Sequence, residues 1–246
     1  MPGSASERTV VSRFAQAHRN VDEVVLEGIH AVKHALRFGA EVLHAVTPDR
    51  PALLGVADEV APDISPALES LVEVVSPDCF LQLSRRPPGS PVLAIARAPR
   101  EGSRSVPPGT AVVLVEPRHS GNVGAVIRVA AAAGATSVLV TGPMDPWSSA
   151  VVRAAAGLHY ALDVRSTHWP PELDRPLLAF DPDEGDPDFQ ATPSHAAFVF
   201  GGERDGLPDT VLASAHRTLR IPMRAGVSSL NLATSVAVAL YARSMP

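Results

Sequence analysis

The chain has 246 residues, 46% of them hydrophobic, and 21 basic against 26 acidic side chains leave a net charge of −5. That length suits one large domain or two small ones with a core that needs no staples, and the single cysteine, Cys79, excludes an internal disulfide and fits a reducing compartment. No run of about 18 apolar residues occurs, and the start, MPGSASERTVVSRF, lacks the apolar stretch of a signal peptide, so we expect no membrane span and a cytoplasmic location.

Residues 8–17 read as a helix of no evident role. Val24-Val25-Leu26 reads as a short buried strand. Residues 28–38 read as a helix with Ile29, Val32, Ala35 and Leu36 on one face. Residues 41–46 alternate like a strand, and 71–75 and 92–96 are further strands. These elements assign residues 1–98 to a small α/β domain. Residues 99–110 form a linker, because proline, glycine, serine and charge together oppose packed structure there. Residues 111–246 form the second domain. Its 112–115 stretch is an apolar run fit for a parallel strand buried on both faces. Then follow a helix (121–134), a strand (137–140), a helix (148–156), strands (176–180 and 197–200), a short helix (208–213), a strand (219–221) and a long last helix (229–242). Alternating strands and helices predict an α/β fold with a mostly parallel sheet.

The net charge at first argues against a nucleic-acid partner, but its distribution softens this. Asp181, Asp183, Glu184, Asp186 and Asp188 form one acidic run, and without them acids and bases balance at 21 each. Arg85, Arg86, Arg97, Arg100 and Arg104 cluster, with Glu101 the only acid between Arg85 and Arg104. The planar guanidinium fork suits phosphate. The same stretch also reads as a solvated, proline-rich linker.

Three motifs follow strands of the second domain. Gly121-Asn122-Val123-Gly124-Ala125-Val126-Ile127-Arg128 opens the 121–134 helix. Its glycines let a ligand or another backbone come close, but the spacing is not that of a dinucleotide fingerprint. Gly201-Gly202-Glu203-Arg204-Asp205-Gly206-Leu207 directly follows the 197–200 strand, where ligands of open α/β sheets bind. Ile221-Pro222-Met223 leads to Ser228-Ser229-Leu230-Asn231-Leu232, in which Ser228 or Ser229 is expected to cap the last helix with Asn231 in its first turn. Each motif alone also fits an ordinary turn or capped helix.

Taken together and in this order, the three motifs resemble the TrmH (SpoU) family of the SPOUT class, the RNA ribose 2′-O-methyltransferases. The resemblance covers residues 112–241, with Asp145-Pro146-Trp147, Arg153 and Gly157 similar to the family's middle segment. Residues 25–45 are similar to the small RNA-binding domain that precedes the catalytic one in many members. The resemblance implies a SPOUT-type parallel sheet with a trefoil knot, a homodimer, and S-adenosylmethionine as cofactor with no metal. It implies cofactor contacts from Gly201, Gly202, Ile221, Met223 and Leu230, and a catalytic set of Asn122, Arg128, Glu203, Ser229 and Asn231. Arg85, Arg86, Arg100 and Arg118 are expected to contact RNA, ribosomal rather than transfer RNA. Val129 and Arg204 depart from the residues common at their positions, which leaves substrate identity open. The alternative is a catalytically decayed RNA- or ribosome-binding protein. A dehydrogenase lacks its fingerprint, a serine hydrolase its nucleophile elbow, and His30 with His34 lacks a third metal ligand, so that pair reads as a solvated helix face.

Overall fold

The computed structural model describes residues 4–84, 87–100, 105–188 and 192–244; Arg85, Arg86 and Arg104 lie outside the described residues. The chain divides into two compact units, Met1–Pro99 with Ala156–Ala161, and Arg100–Ala155 with Leu162–Pro246.

The first unit contains α1 (Ala5–Ala17), β1 (Glu23–Glu27), α2 (Ile29–Arg37), β2 (Val42–Thr47), α3 (Arg50–Val60), α4 (Ser65–Leu71), β3 (Val72–Val74), α5 (Pro77–Leu83) and β4 (Leu93–Arg97). Its sheet runs β1-β4-β2-β3. β4 is antiparallel to both neighbours, and β2 pairs with β3 in parallel. Leu93 to Ala96 are fully buried, as the centre of a covered sheet requires. Helix α1 has a structural role that the sequence does not reveal. Ser4 and Glu7 form a capping box at its start. Val10, Phe14 and Ala17, on one face, then enter a core with Val25, Phe80, Leu83 and Ile95. Helices α3, α4 and α5 were not expected. Each carries proline in its first turn, where the missing N–H has no helical partner to lose.

The segment 156–161, which includes a 3₁₀ turn at Leu158–Ala161, packs on α2. Ala156 and Gly157 both take left-handed conformations, with φ of 50° and 74°. A Cβ on Gly157 would lie 2.5 Å from the carbonyl oxygen of Ala31, so only glycine fits that approach. His34 Nδ1–H donates to the Ala156 carbonyl at 2.7 Å. His34 is therefore half-buried rather than on a solvated face, and burial holds its pKa below the ordinary histidine value.

The second unit contains β5 (Ala111–Leu114), α6 (Ser120–Ala132), β6 (Ser137–Val140), α7 (Ser149–Ala154), β7 (Asp163–Ser166), β8 (Leu177–Phe180), β9 (Ala197–Phe200), α8 (Asp209–Ser214), β10 (Arg217–Leu219) and α9 (Leu232–Ser244). The sheet runs β10-β8-β9-β5-β6-β7, and every pair is parallel. β5, β6, β8 and β9 are buried at all four positions, which is why they read as continuous apolar runs. The winding reverses at β5, which places a crevice beyond the carboxyl ends of β5, β8, β9 and β10.

Two boundaries differ from expectation. Strand β10 ends at Leu219, which frees Ile221 for the loop beyond it. Helix α9 starts at Leu232, and Asn231 is its cap in place of Ser228 or Ser229: Asn231 Oδ1 accepts the N–H of Ala233 at 3.0 Å and of Thr234 at 3.4 Å. The end of the expected linker is also a built part of this unit. Arg175 donates to the carbonyls of Val106, Pro107 and Gly109, and Val106 packs on the core of the sheet.

Gly124 marks the tightest helix contact of this unit's first motif. A Cβ there would stand 2.4 Å from that of Ala154 and 2.8 Å from the amide nitrogen of Ala155 in α7. The close approach is therefore to another backbone segment. Gly124→Ala is expected to destabilise the protein by about 1–3 kcal/mol through overpacking. The measurement is the midpoint of urea unfolding. Gly121→Ala, at a position with nothing within 4 Å of the added carbon, should be neutral or slightly stabilising in the same experiment.

Candidate functional site

The loops that follow β5, β8, β9 and β10 enclose a cavity of about 690 Å³ within the second unit. Of the residues expected at a site, Asn122, Gly201, Gly202, Glu203, Ile221, Met223, Ser229, Leu230 and Asn231 all line it. The others do not. Arg128 is exposed on α6 and has no hydrogen-bond or ion-pair partner among the described residues. Arg118 pairs with Asp205. Arg100 holds Asp145 with two hydrogen bonds, at 2.6 and 3.0 Å, and the same carboxylate caps the Trp147 N–H.

A continuous polar relay ties three of the loops together. The Glu203 carboxylate accepts the backbone N–H of Arg118 at 3.0 Å and of His119 at 3.3 Å, and the Asn122 amide at 2.8 Å. Asn122 Oδ1 accepts from the Asn231 amide at 3.0 Å, and Asn231 Oδ1 caps α9. The polarity of this chain is forced. An ionised carboxylate only accepts, so Asn122 must turn its NH₂ toward Glu203 and its oxygen toward Asn231. Asn231 must then offer its own oxygen to the helix. Burial alone would raise the Glu203 pKa; the N–H of Arg118 and the Asn122 amide, aided by other backbone N–H groups, outweigh it and hold the carboxyl below its ordinary value of 4.5.

The glycines of the second motif serve the protein's own backbone. A Cβ on Gly201 would fall 2.1 Å from the carbonyl carbon of Gly206, and one on Gly202 would fall 2.8 Å from the carbonyl oxygen of Glu116. Gly202 and Gly206 bridge, so residues 201–206 fold back tightly and carry Glu203 to its partners. Glu116 itself, at the end of β5, sits at φ 49°, a conformation that costs a non-glycine residue about 1 kcal/mol.

The sequence reading missed one wall of the cavity. Phe180, Asp181, Pro182 and Asp183, leaving β8, line it as well. The Phe180 ring stacks on Phe200 at 4.6 Å and 10°. The rule that ligands bind at strand ends pointed to this loop as much as to the others. The acidic run there was counted only as charge.

Because the folded-state pKa of Glu203 is lowered, its stabilisation is fully present above the ordinary value of 4.5 and lost as pH falls through the lowered folded value. Glu203→Gln removes that dependence and leaves one acceptor oxygen where Arg118 N–H uses one carboxylate oxygen and His119 N–H and the Asn122 amide use the other, which loosens the anchorage of both backbone amides. We expect hydrogen exchange at those two amides to quicken at least about tenfold, and the acid limb of the stability curve to flatten. Unchanged exchange would remove the relay as an organising element.

The model of the SpoU rRNA methylase family matches residues 109–241, more than half of the chain. An uncharacterized tRNA/rRNA methyltransferase of Mycobacterium tuberculosis is 31% identical over 239 residues, covering 90% of this chain and 80% of the relative. Among solved structures, an RNA 2′-O ribose methyltransferase is 26% identical with a TM-score of 0.73, covering 98% of this chain and 95% of that one. An rRNA methyltransferase from Sinorhizobium meliloti, bound to AdoMet, shares the fold at 24% identity and a TM-score of 0.74, over 98% and 95% of the two chains. With the motif residues gathered around one cavity and the match running through all of them, the chain belongs to the SpoU rRNA methylase family.

Proposed function

We propose that this protein methylates a ribose 2′-hydroxyl of RNA, ribosomal rather than transfer RNA, with S-adenosylmethionine as methyl donor. The observation that carries the reading is the cavity closed by the Glu203–Asn122–Asn231 relay at the strand ends. The AdoMet-bound neighbour and the RNA 2′-O ribose methyltransferase support it. The residues present fit the donor. A cavity of about 690 Å³ lies in the range of small-molecule sites. Phe180, Phe200, Ile221 and Met223 offer apolar walls for a base, and the Gly201 and Gly202 backbone offers polar groups without side chains in the way. When bound, the donor supplies an electrophilic methyl group on a sulfonium.

The chain's own residues then divide the work. Asn122, Glu203 and Asn231 are consumed by one another, so they position the loops and leave Ser229 and the loop backbone to face ligands. Arg128 is the proposed catalytic cation. A guanidinium almost never gives up its proton, so Arg128 binds the neighbouring phosphate and favours the ionised hydroxyl electrostatically. Its exposure and its lack of a partner among the described residues support presentation to RNA at the site of a second copy, in a homodimer. Residues 1–98 bind the substrate RNA, 99–110 connect, and 111–246 catalyse, in the cytoplasm where that RNA resides. Among the described residues no helix is long and apolar enough to cross a membrane.

A knotted chain is part of the same proposal. Strand β10 pairs with β8 on one side, and on its other side Asp186 bridges Leu219. Gly185 lies against the Leu219 backbone, where a Cβ would approach to 2.6 Å. This arrangement supports passage of β10 through a loop opened by β8.

The test is methyl transfer from labelled S-adenosylmethionine to ribosomal and transfer RNA prepared without this enzyme, with mapping of alkali-resistant sites. We expect one 2′-O-methylated nucleotide in ribosomal RNA. Arg128→Ala should lower the rate at least about a hundredfold while cofactor affinity stays within about twofold. Equal loss of both would sink this division of labour. No cofactor binding by the intact protein would favour a non-catalytic RNA-binding role.

A further inference from the structure

The cavity is unevenly charged. Asp181, Asp183, Glu203 and Asp205 line it, against Arg204 as the lining guanidinium. Two of these carboxylates are already committed, Glu203 to N–H donors and Asp205 to Arg118. Asp181 also accepts N–H groups, but through one oxygen, whereas the donors to Glu203 occupy both of its oxygens. It leaves β8 directly after Phe180, whose ring stacks on Phe200, and it is half-buried in the cavity wall. Its Oδ1 accepts the N–H of Asp183 at 2.9 Å and of Glu184 at 2.8 Å, so the carboxylate is held in place. It has no cationic partner among the described residues. The neighbouring Asp183 is exposed, where water and salt screen it.

We propose that Asp181 reads the charge of the methyl donor, favouring the sulfonium over the neutral thioether that remains after transfer. The inference rests on the donor assigned above. Donor and product share every group except the methyl and the charge it carries. In transfer the sulfur keeps the electron pair of the broken S–CH₃ bond, the hydroxyl oxygen forms the new O–CH₃ bond, and its proton leaves to solvent. The positive charge at sulfur is then gone. A fixed carboxylate with no cationic partner among the described residues, in the wall of the same cavity, attracts the donor through that charge and has no such hold on the product. Asp181 therefore helps load the donor and helps release the product, and it acts on specificity without touching the hydroxyl.

The experiment is calorimetric titration of the full chain with S-adenosylmethionine and with S-adenosylhomocysteine, for wild type and Asp181→Asn, at low and at physiological salt. Asparagine keeps the oxygen that accepts from Asp183 and Glu184. We expect donor affinity to fall about tenfold and product affinity to change less than about twofold. In wild type, added salt should narrow the preference for the donor, and this arm stands even if the variant fails to fold. Equal weakening of both ligands would give Asp181 a purely structural role and overturn the inference, as would unchanged affinities or a salt-independent preference. If wild type binds neither molecule, the assigned donor is wrong and the inference falls with it.

Discussion

A carboxylate that can only accept hydrogen bonds sets the order of everything at the strand ends. Glu203 gathers two backbone N–H groups from the loop after β5 and the amide of Asn122. Asn122 has then one orientation left, and through it Asn231 has one as well, which is the orientation that caps α9. Three loops far apart in sequence become a single unit, and the last helix is started by a residue that also closes the cavity. Such a network stabilises only when each member is satisfied. The identities at these positions are thus mutually dependent, and none is a free choice.

The second constraint is steric. Gly124 meets α7, Gly201 meets Gly206 and Gly202 meets the Glu116 carbonyl, each at a distance that leaves no room for a Cβ. These glycines resemble ligand-binding glycines in sequence. In the structure they let backbone segments close on one another, and the cavity is the space that this closure frames. Glu116, whose carbonyl oxygen lies against Gly202, itself takes a left-handed conformation.

The parallel sheet was legible because strands buried on both faces leave continuous apolar runs, as in Val112-Val113-Leu114 and Ala197-Phe198-Val199-Phe200. Strand β7, Asp163–Ser166, is a polar sheet edge and carries no such signal. Helices α3 to α5 were hidden by Pro51, Pro66 and Pro77, which read as breakers and in fact open helices. At the site, the motif residues were legible because each follows a strand. Asp181 was not, because its neighbours made it look like part of a solvated acidic run. Arg100 looked like a free phosphate contact because its partner, Asp145, is 45 positions away. Long-range ion pairs of that kind leave no local pattern.

The chain crosses between its two units three times, after Pro99, after Ala155 and after Ala161. Gene order and physical membership therefore disagree over six residues. Recombination that exchanged the N-terminal region between relatives at a single breakpoint would leave Gly157 facing a foreign α2, with a backbone approach that tolerates no added atom. Modular replacement of the first unit thus requires a second, matched change deep inside the methyltransferase segment. Exchange of this unit between relatives is correspondingly constrained.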